Sequence, residues 1–140
     1  MDKALAEKIA SLINLRNELT KKYTGDEILL HQQNYVFLLD EDNLVACAES
    51  KRVQWYQWEI CHVSVSANYE GQGKGSEILK IAETKAVEGR ARILQSTIRS
   101  DNERSIRLFT RNGYEKVNRF FNVNSGNTVN VYQKSISKMK

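Results

Sequence analysis

The stretch Tyr69-Glu70-Gly71-Gln72-Gly73-Lys74-Gly75-Ser76 carries the chemistry most readily read from this chain. Three alternating glycines precede a helical pattern. Glycine lets a backbone turn tightly and approach a ligand closely, and the free N–H groups of a helix N-terminus bind phosphate oxygens. The spacing restricts which phosphate loop this is. A Walker A loop needs Gly-x-x-x-x-Gly-Lys-Ser/Thr, whereas Lys74 is followed by Gly75. A dinucleotide fingerprint needs Gly-x-Gly-x-x-Gly in a parallel βαβ unit, whereas Ser76 stands where the third glycine belongs. A plain strand-to-helix turn stays open as the alternative. Cys47 and Cys61 are too few and too unpatterned for a disulfide framework or a structural zinc site. They read as reduced thiols of a cytosolic protein, and no metal site is expected.

The elements that must position this loop follow from the hydrophobic spacing. Leu5, Ile9, Leu12, Leu15 and Leu19 predict a helix over 3–22, with Gly25 as a left-handed end cap. Strands are predicted over 34–39 and 44–49, joined by the turn Asp40-Glu41-Asp42-Asn43, and a longer one over 53–66. A helix over 76–87 presents Ile78, Leu79, Ala82 and Ala86. A strand over 92–99 leads to Ser100-Asp101-Asn102-Glu103, whose Ser-x-x-Glu spacing is that of a capping box and starts a helix reaching Asn112. Two last strands, over 114–123 and 128–135, flank a hairpin loop at 124–127. The order is helix, three strands, helix, strand, helix, two strands. That is one mixed α/β (α+β) domain over 1–140 with a largely antiparallel sheet.

Composition bounds the alternatives. The 140 residues are 41% hydrophobic and 27% charged, a globular composition without proline. No apolar run approaches the ~18 residues that span a bilayer. Asp2, Lys3, Glu7 and Lys8 leave no apolar leader core in the first ten residues, so a cytoplasmic, non-membrane protein is expected. The net charge of +4 is uneven: residues 1–70 hold seven Lys/Arg against eleven Asp/Glu, and residues 71–140 hold fourteen against six. A basic half suggests an anionic partner such as nucleic acid or a phosphorylated cofactor, or it simply solvates helix faces.

The run from Val63 to Leu79, containing Tyr69-Glu70-Gly71-Gln72-Gly73-Lys74-Gly75-Ser76, resembles the acetyl-CoA-binding motif of the GNAT superfamily of N-acetyltransferases. The family commonly reads Val-x-Pro-x-Tyr-Arg-Gly-x-Gly-x-Gly there. Downstream, the run Asn102-Glu103-Arg104-Ser105-Ile106-Arg107-Leu108-Phe109, ending in Gly113-Tyr114, is similar to the family's Asn-x-x-Ala-x-x-Leu-Tyr-x-x-x-Gly-Phe. The resemblance covers about residues 34–135 and lacks only a first strand. It implies a GNAT-like twisted sheet with helices on both faces. The family's fourth and fifth strands, here those over 53–66 and 92–99, splay around the cofactor. It implies that the backbone of Val63, Ser64 and Val65 bonds the pantetheine arm. The N–H groups of Gly71, Gln72, Gly73, Lys74, Gly75 and Ser76 cradle the pyrophosphate at a positive helix end. Asn102 bonds near the pantetheine, and the helix carrying Phe109 walls the other side. The polyanionic cofactor gives the basic half a partner and makes nucleic acid less needed.

The family reaction is direct attack of an amine on the acetyl thioester, which a general base assists. Glu59, six residues before Val65, matches the glutamate spacing of the histone-acetyltransferase branch, and Trp58 and Ile60 beside it favour a raised pKa. His62 is the rival base, but strand alternation puts it opposite Glu59 unless a bulge intervenes. The family's usual tyrosine acid falls at Phe109, which has no hydroxyl; Tyr114 could substitute or pack as the family's aromatic. Thr97 replaces the glutamate of the ribosomal-protein alanine acetyltransferases, and Glu70 stands where Gln or Arg is usual and is expected to point to solvent. Trp55, Tyr56 and Trp58 could line an acceptor cleft, pack a homodimer interface, or fill the core and hairpin. The activity implied is transfer of an acetyl group from acetyl-CoA to a primary amine, of a protein lysine, an N-terminus or a small molecule. The alternatives are a coenzyme A-binding regulator without turnover and a GNAT directed at nucleic acid or aminoacyl-tRNA.

Overall fold

The computed structural model describes residues 1–17, 19 and 21–136. Glu18 and Thr20, inside the stretch expected to be helical, and residues 137–140 of the expected domain lie outside the described residues. Helix α1 (Lys3–Asn17) and short helix α2 (Gly25–Leu30) precede strands β1 (Tyr35–Asp40), β2 (Asn43–Arg52) and β3 (Gln57–Val65). Helix α3 (Lys74–Glu88), strand β4 (Ile93–Arg99), helix α4 (Glu103–Arg111) and strands β5 (Glu115–Asn122) and β6 (Asn127–Ser135) follow. The sheet order is β1-β2-β3-β4-β6-β5. Every neighbouring pair is antiparallel except β3 and β4. Helices cover both faces, as the fold expectation requires. Ala6, Ile9 and Ile13 of α1 and Ile28 of α2 pack with Tyr35 and Cys47 on one face. Ile78, Leu79, Ala82 and Ala86 of α3 and Phe109 of α4 pack with Ala46, Ile60, Leu94 and Ile98 on the other. No helix of the described residues is long and apolar enough to cross a membrane.

Two boundaries differ from the sequence expectation. Helix α1 stops at Asn17, because Asn14 turns the chain back: its side chain donates to the Tyr23 carbonyl at 2.9 Å and accepts from the Tyr23 N–H at 2.8 Å. Gly25 therefore opens a second helix instead of capping the first. Thr24 is the N-cap in a reciprocal box with Glu27, at 3.2 and 3.0 Å. Glycine at 25 answers a close helix approach, since a Cβ there would sit 2.6 Å from Cγ of Glu7. The second difference is at α4. Ser100 donates its N–H to Thr128 across the strand turn, and Asn102 is the cap, its Oδ1 accepting from the Ser105 N–H at 3.2 Å.

Two departures from regular pairing shape the molecule's functional end. Strands β3 and β4 pair only through Gln57–Glu59 against Ile93–Gln95, then diverge. In the β2–β3 ladder Cys47 pairs with Ser64 and Glu49 with Cys61, so His62 and Val63 oppose the single residue Ala48. His62 takes φ of +56°, a left-handed conformation that costs a residue with a Cβ on the order of 1 kcal/mol. This bulge reverses the alternation along β3: Val63 and Val65 pack with the α3 core, while Ser64 meets Asn17 of α1.

Candidate active site

The divergence of β3 from β4 opens a cleft of about 580 Å³ between the end of β3, the glycine loop and α4. Val63, Ser64, Val65, Gly71, Gly73, Lys74, Gly75, Ser76 and Asn102 line it together. Gln72 and Phe109 do not. The Gln72 amide turns back to the Asn68 carbonyl at 3.5 Å, on the solvent side. Phe109 is buried with its ring 4.9 Å from that of Tyr114, edge to face, and borders the adjoining cavity instead. Gly71 and Gly73 take φ of +76° and +75° with open space where a Cβ would stand, so the backbone conformation alone requires glycine. Gly73 is the N-cap of α3, and among the described residues no side-chain cap bond closes that end. The first-turn N–H groups of α3 thus remain available to an anion at the positive end of the helix dipole.

Cations dominate the cleft wall. Arg104, Arg107 and Arg111 project from one face of α4, Arg16 comes from α1, and Lys74 from the start of α3. Sequence reading saw the basic half but singled out none of these arginines. The three- and four-residue spacing of Arg104, Arg107 and Arg111 within the Asn102 motif was the available signal. Glu70 also lines the cleft; it is exposed to solvent, as expected, yet its carboxylate is engaged by two arginines. Its Oε1 accepts from Arg16 and from Arg104, the latter at 3.3 Å. The hydrogen bond from Arg104, with the charges of Arg16 and Arg104, holds its carboxyl below the usual range.

A second cavity of about 380 Å³ shares Asn17, Val63, Asn102 and Ser105 with the cleft. Its remaining wall includes Cys61, His62, Thr97, Phe109 and the β5–β6 turn at Ser125. His62 reaches it because of the bulge. Its Nε2 lies 3.0 Å from the Tyr23 hydroxyl, with the two rings edge to face at 5.2 Å. Burial, then the charge of Lys51, pushes the imidazole pKa down to about 4, so it is neutral near pH 7. Burial pushes the Tyr23 hydroxyl and the Cys61 thiol each up to about 12, so neither ionises there. Cys47, wholly buried, is pushed up to about 12 as well.

Glu59 lines neither cavity. Its Oε2 accepts from the Gln95 amide at 3.3 Å, and Gln95 in turn accepts from Gln133 at 2.7 Å. Tyr114 packs instead of facing the cleft: its hydroxyl donates to Glu83 at 2.7 Å, and Lys134 joins the same carboxylate at 3.2 Å. Trp55 and Tyr56 stack edge to face in the bend before β3, and Trp58 packs with the core beside Gly89. None of the three lines the cleft or the second cavity. Among the described residues, no cluster of three or more His, Cys, Asp or Glu could hold a metal ion.

Comparison with known proteins agrees with this geometry. No curated protein sequence matches the chain. Its fold matches yncA of Salmonella typhimurium, solved with acetyl-CoA, at a TM-score of 0.83 and 17% identity over 100% of this chain and 93% of that one. It matches Ard1 of Thermoplasma volcanium at 0.82 and 16%, covering 99% and 95%. It matches the ribosomal-protein-alanine N-acetyltransferase of Brucella melitensis at 0.81 and 16%, covering 97% of each chain. At these identities the likeness speaks for the fold alone. The family assignment rests on sequence: the profile of the acetyltransferase (GNAT) family matches residues 7–114, from α1 through the glycine loop to the end of the Asn102 motif. The chain belongs to the acetyltransferase (GNAT) family and, with it, to the acyltransferase enzymes.

Proposed function

We propose that this chain transfers the acetyl group of acetyl-CoA to a primary amine by direct attack in a ternary complex. The observation that carries this reading is the cleft itself. A splayed strand pair meets an uncapped helix N-terminus behind two left-handed glycines, with arginines on the opposite wall and a second cavity sharing its floor. Structures of the same fold from Salmonella typhimurium and Elizabethkingia anophelis hold acetyl-CoA, which supports the choice of cofactor.

Acetyl-CoA would supply the activated acyl carbon. The N–H groups of 71–76 would hold its pyrophosphate, and the unpaired edge of β3 at Val63, Ser64 and Val65 would bond its pantetheine arm as a further strand does. A β3 backbone N–H near Val65 would face the oxyanion. Phe109 offers no proton, and the modest pKa of a thiol lets the thiolate leave without one. The second cavity would admit the amine. Its wall carries a neutral His62 and a protonated Cys61, and the one cation among its described lining residues, Arg99, is paired with Asp101 at 3.3 Å.

Glu59 is the proposed base, reached through water because it stands off the cavity wall. A second reading has one observation in its favour: His62 does line the cavity. Acetyl-CoA turnover against a panel of primary amines tests the activity, and the pH profiles of Glu59→Gln and His62→Asn separate the bases. Loss of activity toward neutral pH in Glu59→Gln supports the first. An unchanged Glu59→Gln profile with a displaced His62→Asn profile moves the role to His62. Coenzyme A binding without turnover on any amine would mark a non-catalytic, cofactor-binding regulator.

A further inference from the structure

We propose that Glu70 is an internal counter-ion, which holds Arg16 and Arg104 at the cleft mouth until the cofactor's phosphates take them over. This rests on the acetyl-CoA reading of the cleft. Glu70 immediately precedes Gly71, so its carboxylate stands at the entrance to the glycine loop. One of its oxygens accepts from two guanidinium groups on different walls, Arg16 of α1 and Arg104 of α4. Residues 54 and 34 positions apart in the chain are thereby tied across the opening through which a phosphorylated ligand would enter.

The exchange is chemically favourable. Among the described residues five cations line the cleft, and Glu70 is the one carboxylate with them. A phosphate presents more oxygens and more charge than a carboxylate, and the planar fork of arginine pairs with it in a bidentate manner. The Glu70 ion pairs are also easy to open. The Arg104 side chain is 68% exposed and that of Glu70 34%, and pairs so exposed to water contribute little. In the free protein Glu70 keeps the two arginines ordered and the mouth less positive. In the complex its negative charge remains beside a polyanion and weakens binding. Glu70 thus sets cofactor affinity through charge, and it does so only for ligands that carry phosphate.

The test compares coenzyme A with S-acetyl-pantetheine, which keeps the arm and the thioester but has no phosphate. Isothermal titration is run on the wild-type chain, Glu70→Gln and Arg104→Gln at two salt concentrations. Glu70→Gln is expected to bind coenzyme A about three- to tenfold more tightly at low salt, with the gain shrinking as salt screens the charge. Its affinity for S-acetyl-pantetheine should not change. Arg104→Gln should weaken coenzyme A by a similar factor and leave S-acetyl-pantetheine unchanged. Equal or weaker binding of coenzyme A to Glu70→Gln overturns the counter-ion role, and so does a gain shared by both ligands. If the wild-type chain and both variants unfold cooperatively yet bind neither ligand, the cofactor reading itself falls and takes this inference with it.

Discussion

The neutral, strained His62 makes a quantitative prediction for His62→Asn. Asparagine is among the side chains that best tolerate a left-handed backbone, so the substitution removes the titrating ring while respecting the φ of +56°. Burial holds the folded-state pKa near 4 against an ordinary 6.5. Between those values the unfolded chain binds the proton and the folded chain does not. The contribution is therefore complete above about pH 6.5 and is lost progressively as pH falls toward 4. The linkage relation puts that loss at about 2 kcal/mol by pH 5 and on the order of 3 kcal/mol in full. Glu49 works in the opposite direction, because burial raises its carboxyl pKa, so the wild-type pH curve alone would mix the two. The difference between wild type and His62→Asn isolates the imidazole. Urea denaturation at intervals from pH 8 to pH 4.5 measures it. The wild-type chain should lose its advantage over the variant steadily below pH 6.5. Parallel curves over that range would refute the burial argument and show that His62 charges as freely in the fold as out of it.

Two other substitutions probe the site. Tyr114→Phe removes the 2.7 Å bond to Glu83 and should cost about 1–2 kcal/mol in urea denaturation while leaving kcat unchanged, because Tyr114 faces the core and not the cleft; a fall in kcat at unchanged KM would show that it serves as the acid. Gly73→Ala places a Cβ in open space but at φ of +75°, so backbone strain on the order of 1 kcal/mol is expected, along with weaker coenzyme A binding as the loop relaxes; unaltered affinity by titration would argue that the loop does not cradle the cofactor.

Much of the framework was legible in the sequence because the signals were local. The apolar spacing of Ile78, Leu79, Ala82 and Ala86 marks a helix wherever it packs, and all four are buried. Glycines at 71 and 73 announce a backbone that only glycine adopts cheaply, and both take positive φ. The order of elements from 34 onward was read correctly for the same reason. Helix α2 was missed because Gly25 was read from its residue type as a helix end. Its purpose is contact with Glu7, which no local pattern carries. Ser100 was read as a cap on its spacing alone, but the strand turn had already engaged its N–H with Thr128.

The sequence by itself therefore determined the elements from residue 34 onward, the loop and the family. Tertiary structure decided how the site is wired. The bulge that turns His62 toward the second cavity exists only in the register between β2 and β3. The pairing of Glu70 with Arg16 and Arg104 needs α1, the glycine loop and α4 brought to one opening. The seclusion of Tyr114 needs Glu83 and Lys134 beside it. Each depends on residues tens of positions apart, where spacing along the chain says nothing about distance in space. For that reason the same sequence that announced a phosphate loop was silent on the charges that guard it.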